Sequence, residues 1–126
     1  YANLPFYACA GGKILLSELP IHLAENIINS TEMVPFTKHT ITDVDLFWQE
    51  LRDVAKQGYA IDHKESANNG SCIAVPIRDA NDAIIAALSF SGFVGLKDAG
   101  ELLNYVPVLH EASQEISKNL FMYWEK

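Results

Sequence analysis

The clearest structural signal in this chain is SCIAVPIR at residues 71–78, followed by DAND at 79–82 and AIIAALSFS at 83–91. The first and third segments are rich in β-branched and other apolar residues, which is typical of strands. The Asp and Asn side chains between them favour a tight turn. The three segments together predict an antiparallel β-hairpin. Pro76 lacks a backbone N–H, which predicts an edge position or a β-bulge in its strand.

A helix and a short strand are predicted directly upstream of the hairpin. Thr42 and Asp43 are good N-cap residues, and apolar side chains then recur at helical spacing at Val44, Phe47, Leu51 and Val54. Gly58 stands where a glycine commonly ends a helix. Residues 59–62 then read as a short strand, and residues 63–70 read as a polar loop.

The two ends of the chain are predicted to be mainly helical. A helix over residues 8–19 would place Ile14, Leu15, Leu16 and Leu19 on one face and end before Pro20. A second short helix covers residues 21–28, and residues 30–41 are a connection. From Lys97 onward the pattern is helical, with Pro107 expected to kink or divide the helix. This order of elements predicts an α+β fold, an antiparallel β-sheet flanked by helices.

Length and composition limit the classes of protein to consider. The 126 residues, 49% of them hydrophobic, correspond to a single domain over residues 1–126. The net charge of −7 argues against nucleic-acid binding by this segment itself. No apolar run approaches the length of a membrane span, and two unpatterned cysteines suit a reducing compartment. We therefore expect a cytoplasmic location and no membrane partner.

Gly11-Gly12-Lys13 resembles part of a phosphate-binding loop, but the rest of that motif is missing. Tyr7 stands where the loop needs its first glycine, and Ile14 follows the lysine where Ser or Thr is required. The simpler interpretation is that the glycines allow close packing at the start of a helix. A weaker functional interpretation is that small residues there leave backbone N–H groups free to hold a carboxylate.

Four further residues are candidates for a binding site. Ser89 and Ser91 would share one face of a strand, where they are either solvated or partnered by a ligand. Cys72 is either a small buried residue or a nucleophile. Asp62 is either a strand-end residue or a polar wall of a site. His63 and Glu65 read as exposed loop residues rather than metal ligands, so no metal and no cofactor are predicted.

Three segments together resemble the effector-binding domain of the IclR family of bacterial transcriptional regulators. They are LPFYACAGGKILL at residues 4–16, then GYAID at 58–62 continuing through Glu65 to CIAVPIRD at 72–79, and AALSFSG at 86–92. The family has LP-x-H-A-S-x-x-GK-x-LL, then GYA-x-D with C-x-A-x-P-x-x-D, and AALS-x-SG in the same order. This sequence departs from the family at Tyr7, which replaces the usual histidine.

The resemblance implies a GAF-like fold with an antiparallel sheet, and a winged helix-turn-helix domain that would lie outside this chain. Because the chain opens at Tyr1 within the pattern, we expect a fragment that contacts DNA only through that missing domain. The resemblance also implies a small organic acid as effector, a homo-oligomer (a dimer or tetramer), and a set of effector-binding residues: Leu4, Ala10, Gly11, Asp62, Cys72, Ser89 and Ser91.

Two other classes of function remain open at the level of the sequence. One is a GAF-like enzyme in which Cys72 is a reactive thiol. The other is a pure oligomerisation module, for which the apolar residues 120–124 would suit self-association. Thiol reactivity tests the first alternative, and sedimentation with and without ligand tests the second.

Overall fold

The computed structural model describes residues 5–92 and 99–124 as an α+β fold with one antiparallel sheet. A 3-10 turn, Phe6–Ala8, precedes three helices, α1 (Ala10–Ser17), α2 (Ile21–Asn29) and α3 (Val44–Gln57). Strands β1 (Ala60–His63), β2 (Ser71–Arg78) and β3 (Ile84–Gly92) follow, and then helices α4 (Ala99–Leu103) and α5 (Val106–Trp124). The predicted fold class is confirmed.

The hairpin forms as predicted, and β2 is the central strand of a sheet ordered β1-β2-β3. Asp79 closes the turn, since its carboxylate accepts hydrogen bonds from the N–H groups of Asn81 and Ala83. The edge position predicted from Pro76 is wrong for β2 as a whole. A bulge does lie beside Pro76, at Ile77/Arg78, and β1 pairs only with residues 71–74 of β2.

Helix α3 begins and ends where the sequence indicates. The Asp43 side chain accepts from the N–H of Leu46, and Gly58 adopts a left-handed φ of 82° with its N–H on the Val54 carbonyl. The first helix differs from its prediction, because Cys9 is its N-cap and the helix ends at Ser17. Leu15 is also 47% exposed, since three consecutive residues cannot share one helical face.

The sheet separates two layers of helix. Helix α1 packs against all three strands and against α3, whereas α4 and α5 pack on the opposite face. The α1 side holds Ala10, Ile14 and Val54 against Ala60 and Ala74. The α5 side is formed by a second group of apolar residues, Ile73, Val75, Leu102 and Leu109.

The C-terminal helical region is divided, as its proline suggested. Helix α4 ends at Leu103, and Pro107 lies in the first turn of α5. Ser113 of α5 is buried and donates its hydroxyl hydrogen to the Pro76 carbonyl, which ties α5 to the central strand. None of the helices that the structure describes is both long enough and apolar enough to cross a membrane.

Candidate functional site

A row of polar side chains crosses the face of the sheet that α1 covers. Asp62 of β1, Cys72 of β2 and Ser91 of β3 are directly opposite one another in the register. The Ser91 hydroxyl donates a hydrogen bond to the Cys72 sulfur at 3.6 Å. Ser89 follows on the same face, paired with Ala74. Strand alternation thus brings four of the predicted residues onto one surface.

The start of α1 lies over this surface. Ala10 is 1% exposed and packs in the same cluster as Cys72 and Ala87. A Cβ placed on Gly11 would lie 3.8 Å from the Cβ of Ala87, which places this residue over β3. The first N–H groups of a helix have no acceptor within it. The N–H groups of Ala10 and Gly11, in the first turn of α1, therefore have no acceptor within the helix.

The predicted residues differ in how open they are to solvent. Ser89 and Ser91 are exposed, Cys72 and Gly11 are half-buried, and Asp62 is 5% exposed. Leu4, predicted for the apolar side of the site, lies outside the described residues. The role of all seven in binding an effector stays a prediction.

Asp62 is held by the loop that follows its strand. One carboxylate oxygen accepts from the N–H of Glu65 at 2.7 Å, and the other accepts from the Ser66 hydroxyl at 3.1 Å. Both oxygens therefore have a partner within the protein. Asp62 therefore holds the start of the loop that follows β1. Only the lone pairs of its carboxylate that these two bonds do not use could accept from a ligand.

The expectation that Glu65 is an exposed loop residue is wrong, because its side chain is buried against Lys13. The Lys13 ammonium lies 3.0 and 2.8 Å from the two Glu65 carboxylate oxygens. It also donates to the Ile61 carbonyl at 2.8 Å and to the Glu50 carboxylate at 3.2 Å. The lysine of the glycine-lysine motif is thus committed to internal partners. The sequence offered no signal for this pairing across 52 positions.

The close packing expected of the glycines is confirmed at Gly12. A Cβ on Gly12 would lie 2.4 Å from the Phe6 carbonyl oxygen, closer than real Cβ contacts. The 3-10 turn therefore runs against the first turn of α1. Only glycine fits at this position without displacing backbone.

Cys9 is a residue of this region that the sequence did not single out. Burial raises the pKa of its thiol above the ordinary value of 9.0, and the charges of Asp62 and Cys72 raise it further. The Gly12 N–H and the Lys13 ammonium act in the opposite direction. Cys9 therefore belongs to the same electrostatic environment as the polar row. A raised pKa lowers the fraction of nucleophilic thiolate.

One cavity lies beside Lys13, and a second lies on the α5 side of the sheet. A cavity of about 300 Å³ is lined by Lys13, His39, Glu50, His63 and Glu65, among others. A larger cleft of about 600 Å³ lies between α5 and the β2–β3 turn, lined by Gly58, Pro76, Arg78, His110 and Ser113 among others. Arg78 is already paired there with Glu18. We place the candidate site at the start of α1, which packs over the face of the sheet that carries the polar row. Within residues 5–92 and 99–124, no cluster of three or more His, Cys, Asp or Glu side chains is arranged to hold a metal ion.

Comparison with known proteins places the chain in a family. The family model of the bacterial transcriptional regulator IclR C-terminal domain matches residues 2–118. The regulator KdgR of Escherichia coli is 36% identical over 117 residues, which are 92% of this chain and 44% of that protein. The regulator XynR of the same organism is 31% identical over 118 residues, 94% of this chain and 47% of that protein. The chain thus spans about half the length of these relatives.

Solved structures of related domains also match the chain. The crystal structure of the C-terminal domain of E. coli KdgR matches with a TM-score of 0.82 at 34% identity, over 90% of this chain and 70% of that one. A double mutant of the inducer-binding domain of PobR from Acinetobacter, in complex with 3-hydroxybenzoic acid, matches with a TM-score of 0.84 at 30% identity, over 90% and 66%. The chain belongs to the IclR family of bacterial transcriptional regulators and corresponds to its C-terminal domain.

Proposed function

We propose that this chain is the effector-sensing domain of an IclR-type regulator and that it binds a small organic acid non-covalently. The observation that carries the proposal is the position of the α1 N-terminus over the polar row of the sheet. Unpaired N–H groups and the positive end of the helix dipole favour an anion there. No side-chain cation is required, and Lys13 is already occupied by its own partners.

The remaining predicted residues supply contacts for the rest of the acid. The carboxylate would lie on the N–H groups of Ala10 and Gly11. The thiol of Cys72 and the hydroxyls of Ser89 and Ser91 would contact the polar part of the molecule. Leu4 would cover its apolar side, and Asp62 would close the end of the row. The 3-hydroxybenzoic acid bound to PobR is an acid of this kind, with one carboxylate, one hydroxyl and an apolar ring.

Sensing requires the ligand to bind two arrangements of the regulator with different affinity. We propose that the acid shifts a dimer or tetramer of this domain and, through it, DNA-binding domains elsewhere in the protein. The transcriptional regulators that the chain resembles are about twice its length, which leaves room for such domains. A cytoplasmic location, with access to DNA, belongs to the same proposal.

Calorimetric titration tests the binding step. The acids are 3-hydroxybenzoate, pyruvate, glyoxylate and galacturonate, and the variant is Ser91→Ala, which removes one predicted contact. Losing one hydrogen bond of about 1 kcal/mol should weaken binding about fivefold. Ser117→Ala on α5 removes a hydroxyl from the opposite layer and should leave the affinity unchanged. Equal affinity of both variants for an acid that the parent binds would exclude the polar row as the site.

The two other classes make different predictions. If Cys72 is a catalytic thiol, it should react with iodoacetamide much faster than a free cysteine does; ordinary reactivity argues for the sensor. If the domain only associates, sedimentation velocity should give the same species with and without a bound acid. The sensor proposal requires the distribution of species to change.

A further inference from the structure

Lys13 joins four parts of the fold at one buried point. It lies on α1, and its ammonium contacts Glu50 of α3, the Ile61 carbonyl of β1 and Glu65 of the following loop. The side chain is 1% exposed, so this charge depends on its protein partners instead of water. The contacts fix the distance between α1 and the end of β1.

Glu65 extends this connection to the polar row. Its carboxylate accepts from Lys13 through both oxygens, and its backbone N–H donates to the Asp62 carboxylate. A continuous path of polar contacts therefore runs from α1 through Glu65 to Asp62. Thr40 donates to the Glu65 carbonyl from the segment between α2 and α3, which holds the loop from its other side.

The helix amides lie within one turn of this anchor. Gly11 and Gly12 immediately precede Lys13, and Gly11 faces Ala87 of β3. Gly12 is pressed against the backbone of Phe6, so the first turn of α1 cannot slide freely along its axis. Lys13 follows the two glycines within the same turn of α1, so the buried ion pair and these amides belong to one short segment of helix.

We propose that the Lys13–Glu65 ion pair is the positioning element of the effector site, holding the α1 amides at a set height above the polar row without touching the ligand. This inference rests on the proposed function, because the height matters only if those amides hold the acid's carboxylate. Lys13 and Glu65 are thus positioning residues and not ligand contacts.

The charges around Glu65 make this connection sensitive to pH. Burial raises the pKa of Glu65, as do the nearby carboxylates of Asp62 and Glu50, while Lys13 lowers it. His39 and His63 line the same cavity as Glu65. Protonation of Glu65 removes the negative charge from the pair, so that the Lys13 ammonium keeps a neutral hydrogen bond to Glu65 and its bonds to Ile61 and Glu50.

The test uses nuclear magnetic resonance on the ligand-free chain, so it does not depend on which acid binds. The pH is lowered from 8 to 4 while the Glu65 carboxyl carbon, the Gly11 and Gly12 amides, and the Overhauser effect between Gly11 Hα and the Ala87 methyl are followed. We expect the amides and the Overhauser effect to change with the same midpoint as Glu65. Amides that do not follow the Glu65 midpoint would overturn the proposal.

Glu65→Gln is the matched variant, with Glu111→Gln on the exposed face of α5 as its control. In Glu65→Gln the pH dependence at Gly11 and Gly12 should vanish, whereas Glu111→Gln should retain it. Persistence of the wild-type titration in Glu65→Gln would also overturn the proposal. If that variant does not fold, the wild-type titration alone decides. Failure of every acid to bind would instead count against the proposed function and leave these signals unaffected.

Discussion

Alanine at the two adjacent glycines of α1 should have opposite effects on stability. In Gly12→Ala the new Cβ would lie 2.4 Å from the Phe6 carbonyl oxygen and 2.7 Å from its Cα. The Phe6 backbone would have to retreat by about 0.6 Å to reach the shortest real contact, against a ring packed on Tyr7 and Phe47. In Gly11→Ala the nearest atom is the Ala87 Cβ at 3.8 Å, an ordinary contact.

The expected difference follows from two terms. Both variants gain up to about 1 kcal/mol of helix propensity, so this gain cancels in the comparison. Overpacking against backbone costs Gly12→Ala about 1–3 kcal/mol, and Gly11→Ala has no such cost. The two variants should therefore differ by about 2 kcal/mol, or about 1 M in the urea midpoint for a domain of this size.

Urea unfolding followed by far-ultraviolet circular dichroism measures the difference directly. We expect the midpoint of Gly11→Ala to equal or exceed that of the parent, and the midpoint of Gly12→Ala to lie below both. Equal midpoints for the two variants would show that the 3-10 turn does not press on α1. In that case the close packing of α1 against Phe6 would be wrong.

Three further predictions concern buried polar groups. Lys13→Met should lose about 3–5 kcal/mol of stability at pH 8, because it leaves the Glu65 carboxylate buried and unpaired. The loss should shrink as the pH is lowered, because burial raises the pKa of Glu65 and protonation removes the unpaired charge. A loss in urea that does not change with pH would contradict the pairing. Burial raises the pKa of the Cys9 thiol, so the neutral thiol stabilises the fold fully below pH 9, and this stabilisation is lost as the pH rises through the pKa of the folded state. The free energy of unfolding should therefore fall less between pH 8 and pH 10 in Cys9→Ser than in the parent. An identical fall in both proteins would refute this. Ser113→Ala should cost about 1–3 kcal/mol, because the Pro76 carbonyl loses its donor inside the protein; a thermal midpoint equal to that of the parent would show that the bond contributes nothing.

Elements set by local chemistry could be predicted from the sequence. Asp43 and Gly58 mark the ends of α3, because a side-chain cap and a left-handed glycine act within one turn. The β2–β3 turn follows from Asp79 in the same way. The polar row could be anticipated as well, since strand alternation places Ser89 and Ser91 on one face.

Features set by distant partners could not be predicted. Glu65 lies in a polar stretch and reads as exposed, and its burial depends on a lysine 52 residues away. Pro76 indicates an edge position or a bulge; the bulge lies beside it at Ile77/Arg78, but β2 is the central strand. The proline is tolerated there because β1 pairs only with residues 71–74 of β2. The helical pattern groups Leu15 with Ile14 and Leu16 on one face. In the structure Ile14 packs towards the sheet, Leu16 packs with residues of the 3-10 turn, α2 and α3, and Leu15 is exposed.

The location of a bound acid tests the central claim most directly. Amide chemical shifts of the ¹⁵N-labelled chain are recorded during titration with 3-hydroxybenzoate, pyruvate, glyoxylate and galacturonate. We expect at least one acid to give saturable shifts centred on Ala10, Gly11, Cys72 and Ser91. Saturable shifts confined to the α5 cleft around Gly58 and Ser113, or none with any of these acids, would contradict it.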